Sequence, residues 1–388
     1  MKKSTAIQGA AFLMATSAIG PGFLTQTTLF TQQLLTSFGF VILLSILLDI
    51  AVQANIWRMV TMSEQRAQDL ANAVMPGLGV FLAALIALGG LVFNIGNMAG
   101  CGLGMEVMTG VHAKTGAVIS CLVALGIFWY REAGQLMDLV ARILGLIMIA
   151  LTIYIVFASH PPLAAALYRT VWPEKTDMMK IITLVGGTVG GYISFAGAHR
   201  LMDAGIVGKQ HLSQVNRSAV TGILITALMR YLLFLAALGV VAGGVSLAAG
   251  NPAAAVFKSA AGNLGYLFFG VVIWSAGITS VVGASFTSFS FWKTLLPGVQ
   301  QKEKLIISVF ILVSTLVFVI VGQPVQLLVW AGAVNGFILP IALGILLIAI
   351  HKPSIREKYK HPLWLQIIGW LVAGVLGYMS VVTLQQLF

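Results

Sequence analysis

The stretch TSAIGPGFLTQTTLFTQQ, residues 16–33, places hydroxyls and amides inside the first apolar segment of the chain. The polar side chains with the best spacing for binding are Thr25, Gln26, Thr27, Thr28, Thr31 and Gln32. Such groups donate and accept hydrogen bonds without carrying charge. They suit a small polar solute, whereas stripping Mn²⁺ or Fe²⁺ of its water requires anionic or soft ligands. The residue types therefore favour binding of a neutral or organic group.

Arg230, in ALMRYLLF, lies near the middle of another apolar segment. An arginine at the centre of a bilayer costs at least about 2.5–3.5 kcal/mol, so it must face the protein interior and find a partner. One interpretation is a clamp for a solute carboxylate, or a fixed cation in place of a coupling ion. The other is a structural pair with Asp49 or Glu106, or a side chain that snorkels to the membrane surface.

Asp49 and His199 are the candidates for coupling transport to H⁺, with Na⁺ as the alternative ion. Asp49, in ILLDIAVQ, could relay a proton or pair with Arg58 or Arg230. His199 closes the sixth apolar segment, where it could transfer a proton or act as an ordinary interfacial histidine.

Amides and a hydroxyl on other segments extend the candidate site. Asn94 and Asn97 are three residues apart and share one helix face, where they could bond a substrate or hold helices together. Asn335, in WAGAVNGFILP, and Ser194 are candidates to line the pathway, although a serine often bonds its own helix backbone.

The patterns of common enzymes and of ATP-driven proteins are missing from the sequence. It has no GxxxxGK[ST] loop, no HExxH motif and no Ser/His/Asp grouping. The two cysteines, Cys101 and Cys121, both lie in apolar stretches and are expected to be buried thiols. We therefore expect no catalytic residue, resident metal, cofactor or ATPase partner.

The composition predicts an all-α polytopic membrane protein. Of 388 residues, 59% are hydrophobic and 9% charged, against about 25% charged residues in a soluble domain. Apolar runs long enough to cross a bilayer recur along the chain. We predict eleven transmembrane helices, at residues 6–33, 37–60, 76–109, 114–130, 135–158, 180–204, 216–244, 263–295, 304–321, 324–350 and 363–386. The bilayer and a small solute are then the expected partners.

The lysines and arginines predict the orientation. With the N-terminus in the cytoplasm, sixteen of the 22 fall on the cytoplasmic side, five fall outside, and Arg230 lies within a span. Such a bias is typical of a protein with its N-terminus inside and C-terminus outside. It also explains the net charge of +11 without a nucleic-acid surface. We expect the protein in the plasma membrane.

The first and sixth segments carry residues that interrupt helices. The first contains Gly20, Pro21 and Gly22, and the sixth contains five glycines, four of them close together at Gly186, Gly187, Gly190 and Gly191 and the fifth at Gly197. Glycine costs about 1 kcal/mol in a helix interior relative to alanine. Interrupted spans at corresponding positions of two halves indicate a transporter with inverted repeats. We predict repeats of five helices at residues 1–158 and 159–350, an extra helix at 351–388, and a cavity lined by both breaks.

At these residues the chain resembles the Nramp family, the proton-coupled divalent-metal transporters with a LeuT-like fold. The resemblance rests on GPGF at Gly20–Phe23, on the opening of segment 6 at Gly186–Val189, on FNIGNMAG in segment 3, and on the pair Leu339–Pro340. It implies alternating access around a mid-membrane site between helices 1 and 6.

The family's ligand positions are altered in this chain. Counting on from Gly-Pro-Gly, the acidic place of the family's DPGN motif falls on Thr31, and the thioether place of helix 6 falls on Gly190. The acidic places of helix 3 match Asn94 and Asn97. We therefore expect a secondary-active transporter of a small organic acid or amino-acid-like solute. The alternatives are an Nramp-type transporter of Mn²⁺ or Mg²⁺ with unusual ligands, and a channel-like or sensory membrane protein.

Overall fold

The computed structural model describes residues 19–293 and 298–387. These residues form α-helices joined by short loops, with no β-strand among them. In chain order the helices are α1 Pro21–Leu34, α2 Phe38–Ser63, α3 Ala67–Val74, α4 Leu78–Thr109, α5 Ala113–Trp129, α6 Arg131–Ser159, α7 Leu163–Val171, α8 Met178–Thr188, α9 Tyr192–Asp203, α10 Leu212–Ala242, α11 Pro252–Trp292, α12 Glu303–Val321, α13 Pro324–Ala349, α14 Pro353–Arg356 and α15 Leu363–Leu387.

The all-helical membrane class is confirmed, but the count of eleven spans is not. In the described part of the chain, eight helical stretches are long and apolar enough to cross a membrane. A ninth arises if the end of α6 and α7, bent by 111°, form one span. The lower count has three causes: α1 and α2 follow each other so closely that they count together, α5 has 17 residues, and α6 passes only in its bent pair with α7.

Helix α1 is enclosed by the other helices. It packs against α4, α8, α10, α11 and α13, and most of its residues are buried. Long α4 packs along α11 and α13, and α13 packs along α8. The result is a central helix whose surroundings come from both halves of the sequence. The division into repeats at residues 158 and 350 stays a prediction.

Positive φ angles mark the end of one helix and a kink inside another. Leu35 at φ 50° ends α1, and Gly262 at φ 63° kinks α11. The span predicted from residue 263 therefore begins just after this kink, and Pro252–Ala261 forms a separate helical arm. The predicted end of that span falls on residues 294–297, outside the described ranges.

Candidate functional site

The break in the sixth predicted segment is present. Helix α8 ends at Thr188 and α9 begins at Tyr192, with Gly191 at φ 38°, a conformation that favours glycine. The Ser194 hydroxyl donates to the carbonyl of Val189 at 2.8 Å, across the break. Ser194 therefore satisfies a backbone group at the break instead of standing free in a cavity.

Two of the segment's glycines permit close helix packing. A side chain at Gly186 would overlap the backbone of α13 at Gly332 and Gly336, and one at Gly190 would overlap Gly186. Small residues at such positions let backbones approach closely. Gly186 and Gly190 thus serve packing and the tight break itself.

Asn335 of α13 lies against this break. Its Nδ2 donates to the carbonyls of Gly89 and Ala331, each at 2.9 Å. Its Oδ1 is buried without a hydrogen-bond partner and lies where a side chain on Gly191 would be. An unpartnered buried acceptor at a helix break is a candidate contact for a substrate donor.

In the described residues, the helix of the first segment begins directly after Gly20, before the threonines. Gly20 is extended, with φ −100° and ψ −172°, and α1 then runs without interruption from Pro21 to Leu34. Residues 25–33 are therefore helical and lie after the interruption at Gly20, while the expectation that they line a central cavity stays a prediction. Proline fits the first turn of a helix because it lacks an N–H there, which explains the start at Pro21.

Most of the predicted hydroxyls of α1 are used within the helix. Thr27 donates to the carbonyl of Phe23 at 2.7 Å, Thr28 to that of Leu24 at 3.0 Å, and Thr31 to that of Thr27 at 2.6 Å. Buried threonines commonly bond their own helix in this way. These three hydroxyls are consequently poor candidates for binding.

Thr25 and Gln26 remain candidates on α1. The Thr25 Oγ1 is buried without a hydrogen-bond partner. The Gln26 Nε2 donates to the carbonyl of Leu328 at 2.8 Å, while its unpartnered Oε1 faces Gly187. Gln26 therefore joins α1 to α13 beside α8. Gln32, by contrast, is half-buried near the end of α1.

Arg230 of α10 lies where the starting end of α1 meets the final turn of α8. Its side chain is 2% exposed. The guanidinium lies 4.4 Å from the centre of the Phe23 ring, and Nη1 donates to Thr188 Oγ1 at 2.9 Å. Nε and Nη2 are buried and lack partners. Two strong donors are thus left available where the start of α1 meets the end of α8.

Asp49 of α2 supplies the negative charge near this arginine. It is 1% exposed, interacts electrostatically with Arg230, and is within hydrogen-bonding reach of the Thr188 hydroxyl. Asp49 and Arg230 do not form a direct ion pair of the kind seen for Arg66–Asp203 at 2.5 Å. The Oδ1 atom of Asp49 has no hydrogen-bond partner. Asp49, Thr188, Arg230 and Phe23 form what we call the midplane cluster.

Sequence reasoning identified both charges of the midplane cluster but missed Thr188 and Phe23 as their neighbours. Thr188 stands within the motif at Gly186–Val189, and Phe23 within GPGF. Both motifs therefore marked the part of the chain that forms the cluster, although Thr188 and Phe23 are uncharged and were not identified as neighbours of Arg230.

The hydrogen bonds of Asn94 on α4 go to residues outside the midplane cluster. Asn94 Nδ2 donates to the hydroxyls of Ser285 at 3.2 Å and Ser314 at 3.1 Å, which joins α4 to α11 and α12. Asn97, one turn on, is 1% exposed and its Nδ2 lacks a partner. The contacts of Asn94 agree with the helix-joining interpretation.

His199 of α9 also contacts other helices. Its Nε2 accepts from the backbone N–H of Ala67 at 3.3 Å, at the start of α3. Its ring stacks at 4.7 Å on Phe291 of α11. The nearby ion pair Arg66–Asp203 joins the same ends of α3 and α9. His199 therefore packs where the start of α3 and the end of α9 meet α11, and the contacts described for it do not include Arg230.

Comparison with known proteins places the chain in a family. The model of the Nramp family, described as natural resistance-associated macrophage protein-like, matches residues 11–386. The chain belongs to this family, whose members are transporters and not enzymes.

Two relatives share more than half of their residues with the chain. The uncharacterized membrane protein YcsG of Bacillus subtilis strain 168 is 56% identical over 378 residues, covering 97% of this chain and 94% of that one. An uncharacterized membrane protein of Haemophilus influenzae is 55% identical, covering 97% and 95%.

Solved structures agree on the LeuT-like fold. A manganese transporter of Eremococcus coleocola, in complex with an aromatic bis-isothiourea substituted compound, superposes with a TM-score of 0.74 at 15% identity, covering 97% of this chain and 86% of that one. MhsT in complex with L-phenylalanine gives 0.67 at 14% identity, covering 100% and 99%. The fold is thus shared with proteins whose bound partners differ chemically.

The chain pairs with the family's DPGN motif in a second way. If the pair Pro21–Gly22 at the start of α1 corresponds to the motif's Pro-Gly, the acidic place falls on Gly20 and the amide place on Phe23. The pairing with Thr31 puts the acidic place 11 residues, or about three helical turns, further on. Both pairings stay predictions, and the one with Phe23 would put the Arg230 guanidinium against an altered ligand position.

Proposed function

We propose that this Nramp-family transporter carries a small organic anion or zwitterion whose carboxylate binds Arg230. The observation that carries the proposal is the pair of unpartnered, buried donors, Nε and Nη2 of Arg230, where the start of α1 meets the end of α8. A guanidinium matches a carboxylate geometrically because it can donate two parallel hydrogen bonds.

The helix ends around Arg230 favour the same chemistry. Phe23, which contacts the guanidinium, lies in the first turn of α1. The N-terminal end of a helix carries partial positive charge and free N–H groups that stabilise an anion. Thr25 Oγ1, Gln26 Oε1 and Asn335 Oδ1 supply further polar atoms without partners, suited to the rest of a polar solute.

Transport of Mn²⁺ or Mg²⁺ is the second candidate, and the family match favours it. The substrate would then bind to backbone carbonyls, amides and water. A fixed guanidinium against Phe23 opposes this candidate, since it repels a second cation at short range. Among the described residues no group of three His, Cys, Asp or Glu side chains could hold the ion as a substrate.

Asp49 offers a route for coupling to H⁺. When a carboxylate binds Arg230, the guanidinium charge is shared and Asp49 loses part of its compensation. A buried carboxylate in that position is stabilised by taking up a proton. Anion and proton would then move together as the helices rock about the site. Na⁺ bound by carbonyls and His199 as a proton carrier are weaker alternatives, and the N-in orientation in the plasma membrane remains part of the proposal.

Thermal unfolding of the detergent-purified protein tests the substrate class. The panel contains Mn²⁺, Mg²⁺, Na⁺, several amino acids and several oxo acids. A ligand at about 100 times its dissociation constant stabilises by about 2.7 kcal/mol, which a melting curve detects. Stabilisation by carboxylates alone supports the proposal, and stabilisation by Mn²⁺ or Mg²⁺ alone overturns it.

Arg230→Lys sharpens this test because it retains the charge and loses the planar fork. We expect at least a tenfold weaker binding of the stabilising carboxylate, about 1.4 kcal/mol. Arg217→Lys, at an exposed position of the same helix, is the matched control. Equal effects of the two substitutions would contradict binding at Arg230. Uptake against a gradient in proteoliposomes separates a transporter from a channel or sensor.

A further inference from the structure

A groove of about 360 Å³ lies between α2, α10 and α15, away from the midplane cluster. Its walls are mainly apolar and include Leu47, Ala51 and Ala54 of α2, Val220 of α10 and Ile368 of α15. Leu47 is 58% exposed, so the groove opens on the outer side of the helix bundle. In a membrane protein this side faces lipid.

One end of the groove is polar. Arg58, Asn216 and Trp364 line it there. Arg58 lies five residues before the end of α2, Asn216 four residues after the start of α10, and Trp364 at the second residue of α15. The polar end therefore lies at one membrane face, which the distribution of lysines and arginines assigns to the cytoplasm.

The charge of Arg58 is not balanced by the described protein. Arg58 is 8% exposed and its Nε is buried without a partner. The ion pairs found among the described residues are Arg66–Asp203, Arg169–Glu174 and Lys180–Asp177, and they leave Arg58 out. A buried cation of this kind calls for an anion from outside the chain.

The nearest titratable groups do not supply that anion. Burial and the charge of Arg58 lower the pKa of His361 to about 4, so its ring is neutral at pH 7. Burial raises the pKa of Tyr359 to about 12, so its hydroxyl stays protonated. The two bond each other at 3.0 Å, and His361 Nε2 contacts Asn55 Oδ1 of α2 at 2.9 Å.

The dimensions of the groove match half a bilayer. Leu47 and Arg58 are 11 residues apart on α2, which corresponds to about 16 Å along a helix. The hydrocarbon core of one leaflet is about 15 Å thick, half of ~30 Å. An acyl chain alongside Leu47 would thus have its headgroup beside Arg58.

We propose that this groove binds one anionic phospholipid, with the phosphate on Arg58 and an acyl chain along α2 and α15. Basic pockets between helices on the cytoplasmic side recognise such headgroups. The bound lipid would bridge α15, the helix outside the two predicted repeats, to α2 and α10. The site is independent of the proposed substrate.

Thermal unfolding of delipidated protein, titrated with phosphatidylglycerol, phosphatidylcholine or glycerol 3-phosphate, tests the proposal. We expect stabilisation that saturates at lower concentration for phosphatidylglycerol than for phosphatidylcholine, and none for glycerol 3-phosphate. Arg58→Gln should weaken the phosphatidylglycerol effect about fivefold in concentration. Arg217→Gln, which removes an exposed charge near the same face, should leave it unchanged.

Ala54→Trp provides a variant that fills the groove and keeps Arg58. We expect it to remove the preference for phosphatidylglycerol while the protein stays folded, which keeps the proposal testable if Arg58→Gln does not fold. Equal stabilisation by the two lipids overturns the proposal. Full stabilisation by glycerol 3-phosphate alone also overturns it, because the occupant would then be a free phosphate. Equal losses of the phosphatidylglycerol effect in Arg58→Gln and Arg217→Gln would overturn the proposal as well.

Discussion

Arg58 lies on helix α2 and Arg230 lies beside this helix, and the surroundings of these two buried arginines differ. Arg230, at the level of Asp49, is 2% exposed and has an acid, a hydroxyl and an aromatic ring as neighbours. Arg58, nearer the end of α2, is 8% exposed and has a neutral histidine and a tyrosine close by. One charge is compensated inside the protein, and the other faces a groove open to lipid.

This difference separates two uses of a buried cation. In the midplane cluster, the nearby carboxylate of Asp49 lowers the free-energy cost of burying the Arg230 guanidinium, and in the proposed function an arriving anion would replace it as the partner of that guanidinium. At the groove, no internal partner competes, so a resident lipid can stay bound. The first arrangement suits a substrate that must leave, and the second suits a permanent ligand.

The largest expected effect tests the internal compensation. Arg230→Met leaves Asp49 buried without its cation, and we expect the free energy of unfolding to fall by about 3–5 kcal/mol. Adding Asp49→Asn should recover most of that stability without recovering carboxylate binding. Thermal unfolding of the single and double variants in detergent measures both.

Arg58→Gln supplies the contrast for this experiment. No described carboxylate pairs with Arg58, so its removal in lipid-free detergent should change the free energy of unfolding by about 1 kcal/mol or less. If Arg58→Gln were as destabilising as Arg230→Met, or if Asp49→Asn failed to rescue, the comparison between the two arginines would be incorrect.

The next effect is a pH dependence of the free energy of unfolding, caused by His361 near Arg58. The pKa of His361 falls from 6.5 to about 4 in the folded protein, so the unfolded chain binds a proton there first as the pH drops. Stability should therefore be full above pH 6.5 and decrease by roughly 3 kcal/mol on reaching pH 4. Melting temperatures of the wild type minus those of His361→Gln, between pH 7.5 and 4.5, isolate this contribution. A flat profile for the wild type would refute the assignment.

A smaller effect concerns the backbone near Arg230. Gly191→Ala forces a side chain into φ 38° and against Asn335, and we expect a loss of about 1–3 kcal/mol together with reduced uptake. Gly205→Ala is the control, since Gly205 also has positive φ, 71°, but open space around it. If both substitutions reduced uptake equally, the contact between Gly191 and Asn335 would have no specific role.

The sequence was sufficient for the fold because bilayer physics leaves few choices. Apolar run length located the helices, and the helix of predicted segment 10 covers Pro324–Ala349 against the expected 324–350. Glycine spacing located the break after Thr188. The number of spans was harder to predict than the presence of the helices, because a 3₁₀ turn at Leu35–Ser37 joins α1 to α2 almost without a gap.

The site was predicted in part, for a physical reason. A charge in an apolar segment is conspicuous, so Arg230 and Asp49 were found from sequence alone. Which hydroxyls stay free depends on the register of α1, which the sequence does not display. Thr27, Thr28 and Thr31 looked equivalent to Thr25, and only the helix geometry distinguishes them. Arg58 did not stand out in the sequence, because it is one of sixteen lysines and arginines expected on the cytoplasmic side.

The smallest expected effect distinguishes these threonines. Thr31→Val keeps the shape of a side chain whose hydroxyl bonds only its own helix, so stability should change by less than about 1 kcal/mol and uptake should stay normal. Thr25→Val removes a buried hydroxyl without a partner, so it should cost no stability but lower uptake several-fold if that oxygen contacts the solute. Proteoliposome uptake of the stabilising ligand compares the two. An equal loss of uptake for Thr31→Val would favour Thr31 as the acidic place of the family motif, about two helical turns from Phe23, the neighbour of Arg230, and would move the substrate away from the midplane cluster.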